Sequence, residues 1–292
     1  MWWRLRLSEC VLIAFFSYIA IVALFFRLPH ELRYAAFAVV ACVIIVSVGL
    51  ADCEHRSGSR VFSIVRDWLP IAFTLTAYRE MNWFATAHKE HTLEHAWIVW
   101  DRWLLHDRGM RTLIEISGWM GPLFLELCYL LVYAAGPIAV GILYGHRRRD
   151  LVDRVLATYL FGTLLAYALF PYFPSDPPRT VFAGMDIPGV MTPVRQLNLA
   201  IVGGYGIHSS VFPSAHVSSA FSAGWGLLVF FPEKRRLGWG MLVYAVCVSL
   251  ATIYGRYHYA ADAAAGIAIS IAALLLALVI AKRRGARPAM LN

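Results

Sequence analysis

Long apolar stretches alternate along this chain with short polar segments. Seven stretches approach or exceed the roughly 20 residues that a helix needs to cross a bilayer core. An eighth, 68–87, is weaker because Arg79 and Glu80 interrupt it, and it predicts a tilted or partly re-entrant segment. The pattern therefore predicts an all-α polytopic membrane protein with about eight transmembrane helices. The seven stronger stretches are 10–26, 34–51, 118–144, 155–173, 217–231, 237–254 and 263–281.

Composition supports this class. Hydrophobic residues make up 60% of the 292 residues and charged residues only 15%, against about 25% charged in soluble chains. So low a charge density excludes a disordered chain. The net charge of +8 comes without basic, aromatic low-complexity stretches, so a nucleic-acid partner is not expected.

The positive charges instead follow membrane sidedness. With eight spans, 16 of the 26 Lys and Arg residues fall in the segments assigned to the inner side, as the positive-inside rule requires. Five of the other ten lie in one long connection, 79–111, where the rule counts least. The distribution predicts cytoplasmic termini in the plasma (inner) membrane and assigns the long connections to the outer (periplasmic, exoplasmic or lumenal) face.

Two long outer connections divide the predicted architecture. Segment 79–117 mixes four tryptophans with charges, which is typical of a helix in the headgroup layer or of a loop helix packed on the bundle. Segment 174–212 is rich in Pro and Gly, and so long a connection in a compact domain more often carries a function than none. Residues 1–60 are predicted to form two N-terminal transmembrane helices, and 61–292 a six-helix membrane domain.

Three polar groups recur at span ends on that outer face. The first is Pro213-Ser214-Ala215-His216, which opens a span. Proline suits a helix start, and the free amides there form an anion site. His216 is thereby predicted to lie beside any bound phosphate. The alternative is a Pro-Ser helix cap with an interfacial histidine.

The second group is Arg256 to Asp262 at the start of the last span. His258 and Asp262 are four residues apart, so on a helix they share a face and the carboxylate holds one imidazole nitrogen. The other nitrogen stays free as a base or nucleophile. The alternative is a structural His-Asp pair that fixes the helix start.

The third group is Pro174-Ser175-Asp176-Pro177-Pro178-Arg179 after the fifth span. Consecutive prolines stiffen the segment and hold the guanidinium in place for phosphate oxygens. By itself a Pro-Pro-Arg turn is a weak signal.

Together the three groups resemble the PAP2 superfamily of lipid phosphate phosphatases and phosphotransferases. The residues at 213–216 look like its second motif, and His258 with Asp262 look like the end of its third. The usual first motif is absent, and Thr252 stands where the third motif has an arginine. The Pro-Pro-Arg element looks more like the branch of inositolphosphotransferases and inositol phosphorylceramide synthases.

The resemblance implies that 61–292 is a catalytic membrane domain, with 174–212 as the outer loop of its active site and that site on the outer (periplasmic, exoplasmic or lumenal) face. It also implies a role for each motif residue. His258 attacks phosphorus and forms a phosphohistidine, Asp262 stabilises its imidazolium, and His216 protonates the leaving oxygen. Arg179, Arg256 and the amides near Ser214 are expected to bind the phosphate, with no metal or other cofactor required. The substrate is expected to be a membrane lipid carrying a phosphate or diphosphate, and the acceptor water or an alcohol such as inositol.

Other readings stay open. His91-Thr92-Leu93-Glu94-His95 fits an HxxEH zinc protease pattern, with His88 one turn earlier. A serine protease built on Ser209, Ser210 or Ser214 lacks a GxSxG elbow. A non-catalytic lipid-phosphate binder or transporter would use the same anion site.

Some further polar residues receive simpler readings. His208, Asp186 and Arg195 are guesses for headgroup contacts. Glu115 and Glu126 are expected to take part in helix packing, and Ser218 and Ser222 to let two helices approach closely.

Overall fold

The computed structural model describes residues 4–85, 90–207, 209 and 211–285, and every regular element among them is helical. The helical class predicted from the sequence is confirmed. Short 3-10 turns connect several of the helices. The helices are α1 (Leu7–Phe25), α2 (His30–Ser57), α3 (Arg60–Met81), α4 (Thr92–Arg102) with a π-helical extension (Trp103–Asp107), α5 (Met110–Glu115), α6 (Met120–Leu131), α7 (Ala135–Gly145), α8 (Val152–Leu169), α9 (Pro178–Val181), α10 (Pro193–Tyr205), α11 (Ala215–Phe230), α12 (Arg235–Tyr254) and α13 (Ala260–Gly285).

Six helical segments of the described chain are long and apolar enough to cross a membrane. They are Leu7–Phe25, His30–Ser57, Met120–Gly145, Arg149–Tyr172, Pro232–Tyr254 and Ala260–Arg283. The chain is therefore an integral membrane protein. Helix α1 alone, with 19 residues, spans about 28 Å, close to the thickness of a bilayer core. The apolar helix α11 is shorter, and α3 carries charges near both ends. The count of eight spans therefore stays a prediction.

Helix α11 is central to the bundle and packs against α7, α8, α12 and α13. Small residues permit these close approaches. A Cβ added at Gly266 of α13 would lie 2.6 Å from the carbonyl oxygen of Ser214. The Ser218 hydroxyl donates to the carbonyl oxygen of Gly162 across the α8–α11 contact at 2.8 Å. Ser222 would collide with any side chain at Gly162, so the predicted helix-contact role of both serines is confirmed.

A charged network around the start of α1 ties α1 and α2 to the bundle, with Arg66 of α3 paired to both Glu9 and Glu54. Asp153 of α8 accepts hydrogen bonds from the first amides of α1, at Leu7 and Ser8, both at 2.9 Å. The carboxylate thereby satisfies donors that a helix start leaves unpaired. Arg66 of α3 makes two 2.6 Å hydrogen bonds to Glu9 of α1. The two N-terminal helices are thus fixed to the helices that follow.

The two long connections, 79–117 and 174–212, contain more helix than their composition suggests. Segment 79–117 contains α4 and α5, and Trp100 and Trp103 are about half exposed. Trp97 instead packs against Phe212 with ring centroids 4.8 Å apart. Segment 174–212, expected to be an extended Pro- and Gly-rich loop, contains α9 and the 13-residue α10. Pro193 stands at the first helical position of α10, where its fixed φ favours a helix start.

Candidate active site

The starts of α11 and α13 meet at one point of the bundle. Ser214 is the N-cap of α11, and its hydroxyl accepts from the Val217 amide at 3.4 Å. The Ser214 amide in turn donates to the carbonyl oxygen of Asp262 at 3.1 Å. Two motifs almost 50 residues apart in sequence are therefore joined by a backbone hydrogen bond.

His258 lies in the irregular loop before α13, not on the helix. The expectation that a shared helical face brings it to Asp262 was therefore wrong in its geometry. Asp262 sits in the first turn of α13, where its Oδ2 accepts from the Tyr259 amide at 3.0 Å. The same oxygen lies 3.1 Å from His258 Nδ1. A side chain that caps its own helix start thus also holds the imidazole.

The two histidines are in direct contact. His258 Nε2 lies 3.5 Å from His216 Nδ1, and the ring centroids are 5.6 Å apart. Because Asp262 Oδ2 already accepts from a backbone amide, the consistent arrangement has His258 Nδ1–H donating to it. His258 Nε2 then carries a lone pair, and His216 Nδ1–H points toward it.

A cavity opens from this histidine pair into the bundle, between α3, α6, α8 and the segment around α10. Its described lining contains no Asp, Glu or Lys, and Arg179 is its one Arg or Lys side chain. Six tyrosines and two threonines add hydroxyl groups to the wall: Tyr78, Tyr129, Tyr133, Tyr159, Tyr167, Tyr257, Thr74 and Thr163. Sequence reasoning missed these tyrosines, because a tyrosine inside an apolar span is indistinguishable from a core residue.

Arg179 reaches the cavity from α9. It is partly buried, and its Nη1 lies 3.4 Å from the carbonyl oxygen of Tyr257. The guanidinium carbon stands 5.9 Å from the Tyr257 ring centroid, within range of a cation–π contact. Burial lowers the pKa of Arg179 below its usual value, and an anion in the cavity would oppose that effect.

The environment keeps His258 neutral. Burial, followed by the nearby charge of Arg179, lowers the pKa of His258 to about 3. A neutral imidazole with one nitrogen hydrogen-bonded to a carboxylate leaves the second nitrogen as an available nucleophile. The arrangement is therefore suited to attack on an electrophile that enters between the two histidines.

Arg256 faces away from this cavity. It is 1% exposed and pairs through Nη1 with Asp101 of α4 at 2.5 Å. It does not line the cavity, and neither do Ser214 and Asp262, which act behind it. Arg256 Nε and Nη2 have no hydrogen-bond partner among the described residues. The geometry thus favours an indirect role for Arg256 over contact with a substrate.

The residues of the zinc-protease pattern are put to other uses. Glu94 accepts from the amide of Asp176 at 2.8 Å and so anchors the segment that leads to Arg179. His95 packs edge-on against Phe182 at 5.4 Å, and His88 lies outside the described residues. In the described ranges, no three His, Cys, Asp or Glu side chains come together as a metal-binding group.

The serine-protease pattern finds little geometric support either. Ser214 is fully buried and spends its hydroxyl on the cap of α11. Ser209 is buried in the outer segment, and Ser210 lies outside the described part of the chain. None of these hydroxyls lines the cavity beside the histidine pair among the described residues.

The residues guessed to contact a headgroup separate into surface and interior. Asp186 pairs with His106 at 2.7 Å outside the cavity, and His208 lies beyond the described residues. Arg195 is buried and bonds to Glu126 at 2.7 Å. Arg195 and Glu126 therefore lie in the buried interior beside the site and do not line the cavity. Glu115, by contrast, is partly exposed and accepts from the Gly189 amide at 2.8 Å.

Comparison with known protein families identifies the family to which these site residues belong. The sequence model described as the PAP2 superfamily matches residues 95–276, which is more than half of the chain and contains all three polar groups. The chain belongs to the PAP2 superfamily. A search of the curated proteins finds no match. A crystal structure of LpxE from Aquifex aeolicus is similar, with 19% identity, a TM-score of 0.45, and coverage of 60% of this chain and 95% of that one.

Membership of the PAP2 superfamily confirms the family resemblance found in the sequence. The matched region begins in α4 and ends within α13, so it excludes α1, α2 and the whole of α3. The histidine pair, Asp262 and Arg179 all lie inside it. The part of the chain that matches the PAP2 superfamily therefore supplies His216, His258 and Arg179 to the cavity.

Proposed function

We propose that this PAP2 protein is a membrane lipid phosphatase or phosphotransferase that acts through a phosphohistidine at His258. The observation that carries the proposal is the contact of His258 Nε2 with His216 Nδ1, 3.5 Å apart, in a cavity that Arg179 also lines. A nucleophile, a proton donor and a cation thus surround one space. Phosphoryl transfer depends mainly on such positioning and charge stabilisation.

In the first step, the lone pair of His258 Nε2 forms an N–P bond with the lipid phosphate. The P–O bond to the lipid breaks, and the departing oxygen takes a proton from His216, which enters this step as the imidazolium formed beside the anionic phosphate and leaves it as the neutral ring. Asp262, 3.1 Å from His258 Nδ1, stabilises the positive charge that the ring acquires. Splitting the transfer into two displacements replaces one difficult step by two easier ones.

In the second step, water or a headgroup alcohol attacks the phosphohistidine. The attacking hydroxyl gives its proton to His216, a new P–O bond forms, and the N–P bond breaks to restore neutral His258. Water yields inorganic phosphate, whereas an alcohol such as inositol yields a new phosphoester. The same histidines serve both outcomes, so the acceptor decides whether the reaction is hydrolysis or transfer.

Arg179 and backbone amides in fixed positions are expected to stabilise the negative charge of the transferred phosphoryl group. Arg179 faces the cavity, and α11 presents its first amides beside His216. A helix start favours negative charge through both its free amides and its dipole. In this proposal Arg256 acts on the His258 loop through its ion pair with Asp101, while Ser214 shapes the anion site as the cap of α11.

We place this site on the outer membrane face, in a plasma (inner) membrane. The inner ends of α1, α3 and α8 gather the arginine-rich network around Arg66, Asp67 and Arg149. The histidine pair lies at the opposite ends of α8 and α11. The positive-inside rule assigns the arginine-rich end to the cytoplasm.

The test is phosphate release in proteoliposomes from a panel of lipid monophosphates and diphosphates, with and without inositol. We expect turnover in the wild type and its loss in His258→Ala. His146→Ala, at an exposed histidine of the inner end, is the matched control and is expected to retain activity. A new phosphoinositol lipid would identify transfer, and release unaffected by inositol would identify hydrolysis. Specific phosphate-lipid binding without any product would contradict the enzymatic proposal.

A further inference from the structure

The loop that carries His258, residues 255–259, has no regular secondary structure. The amides of Tyr257 and His258 donate to the carbonyl oxygen of Thr252 at the end of α12, at 2.9 and 3.1 Å, and side chains of other elements supply the remaining contacts. Arg256 within it adopts a left-handed backbone conformation, φ 61°, which a non-glycine residue keeps only when its surroundings hold it. We call these five residues the His258 loop.

Glu126 of α6 holds one side of the His258 loop. Its Oε2 accepts from the Tyr257 hydroxyl at 2.7 Å. Its Oε1 accepts from Arg195 Nη1 at 2.7 Å, and the same guanidinium donates to the carbonyl oxygen of Gly255 at 3.2 Å. Asn198 adds a third donor to the carboxylate at 2.7 Å. Glu126 is 2% exposed, so these bonds form out of contact with water.

Asp101 of α4 holds the other side. Its two oxygens accept from Arg256 Nη1 and from the amide of Ala260, the latter at 2.7 Å. Residue 257 is thus bound from α6, residue 255 from α10, and residues 256 and 260 from α4. His258 lies between the two sets of contacts. In the described chain, the His258 ring has polar contacts with Asp262 and His216.

Glu126 also reaches the second histidine. The Tyr257 ring that it binds stacks on Tyr129, with centroids 3.9 Å apart and planes at 10°. Tyr129, one helical turn after Glu126 on α6, stacks in turn on His216 at 5.2 Å. One carboxylate therefore fixes a column of rings that ends on His216 and a loop that carries His258.

We propose that Glu126 is a positioning residue that sets the distance and orientation of His216 and His258 without touching the substrate. Arg195 and Asn198 of α10 complete its network from the outer segment. The inference rests on the proposed function for its kinetic test. Its physical basis is that a catalytic geometry misplaced by about 1 Å loses on the order of 100-fold in rate.

The first test is Glu126→Gln, which keeps the side-chain size but removes the charge opposite Arg195. We expect kcat to fall about 10- to 100-fold, the range for lost outer-shell contacts, while KM changes less than about threefold, since no substrate contact is removed. Glu115→Gln is the matched control, because Glu115 accepts from a tyrosine, Tyr254, at 3.1 Å but does not contact the His258 loop. Equal kinetics in the two variants would overturn the proposal.

A second variant separates positioning from stability. Glu126→Gln alone leaves Arg195 buried without its carboxylate, which is destabilising. Glu126→Gln with Arg195→Met removes the unpaired charge and is expected to recover much of the lost Tm. If kcat stays at least tenfold low at the recovered Tm, the role is positioning. If kcat recovers with the Tm, the network is only structural and the proposal fails.

A third measurement does not depend on activity. Diethyl pyrocarbonate modification of His216 and His258, followed by peptide mass spectrometry, reports how tightly each ring is held. We expect modification at least threefold faster in Glu126→Gln, with the exposed His146 unchanged as the internal reference. Unchanged rates at both histidines would overturn the inference. Should wild-type protein turn over no lipid phosphate, the proposed function fails, while this measurement still decides the positioning role.

Discussion

Gly266→Ala tests whether the close contact of α11 and α13 sets the candidate active site. An added Cβ would lie 2.6 Å from the carbonyl oxygen of Ser214 and 3.1 Å from Cβ of Val217. Both neighbours belong to the start of α11, so neither can rotate away as the tip of a flexible side chain would. The helices must therefore separate, and with them His216 and Asp262.

The expected effects differ in size. Overpacking costs about 1–3 kcal/mol, and replacing a helical glycine by alanine returns about 1 kcal/mol. The net loss in the free energy of unfolding is then about 0–2 kcal/mol. Activity is the more sensitive quantity, because a displacement near 1 Å at the reacting groups costs on the order of 100-fold.

The assay compares phosphate release and thermal unfolding in proteoliposomes for Gly266→Ala and Gly141→Ala. Gly141 of α7 has no atom within 4 Å of an added Cβ, so its alanine variant is expected to match the wild type or exceed its stability slightly. If Gly266→Ala keeps full turnover and stability, the contact does not position the site and the reasoning is refuted.

Four further predictions follow from the same geometry. Arg179→Gln removes the cavity's arginine and is expected to lower kcat about 100- to 1,000-fold, with phosphate release measured at saturating lipid; a change in KM alone would contradict its role in transition-state stabilisation. Asp262→Asn is expected to lower kcat at least 100-fold with Tm nearly unchanged, since the amide still accepts from Tyr259 but no longer stabilises the imidazolium. Asp67→Asn, which loses the charge that pairs with Arg6 and Arg149, is expected to lower the unfolding free energy by about 2 kcal/mol in denaturant titrations while activity per folded molecule stays constant. His258 binds fewer protons folded than unfolded between pH 6.5 and about 3, so wild-type stability minus that of His258→Gln is expected to be constant above pH 6.5 and to fall below it, by up to about 1.4 kcal/mol per pH unit; a difference independent of pH would refute the low pKa.

Features that depend on local sequence patterns could be predicted from the sequence. Apolar runs gave the helices, and the motif spacing placed His216, His258 and Asp262 at helix starts on one side. The reason offered for the His258–Asp262 pair was wrong, because periodicity does not fix where α13 begins. Asp262 lies in the first turn of α13, and the same carboxylate oxygen accepts from the Tyr259 amide and contacts the His258 imidazole.

Partners far apart in sequence left no such signal. Asp101 and Arg256 are 155 residues apart, and Glu126 and Tyr257 are 131 residues apart. An arginine at a span end suits phosphate binding and ion pairing equally well, so the sequence predicts that Arg256 binds the substrate, whereas in the fold it pairs with Asp101. Only the packing of α4 and α6 against the His258 loop distinguishes the two roles.

The most direct test of the account is to trap the covalent intermediate. Wild-type protein is mixed with a turned-over lipid phosphate, quenched in alkali within milliseconds, digested and analysed by mass spectrometry. The account predicts one phosphohistidine, on the peptide that contains His258, and none in His258→Ala. Phosphate on another residue, or rapid turnover by His258→Ala, would contradict it.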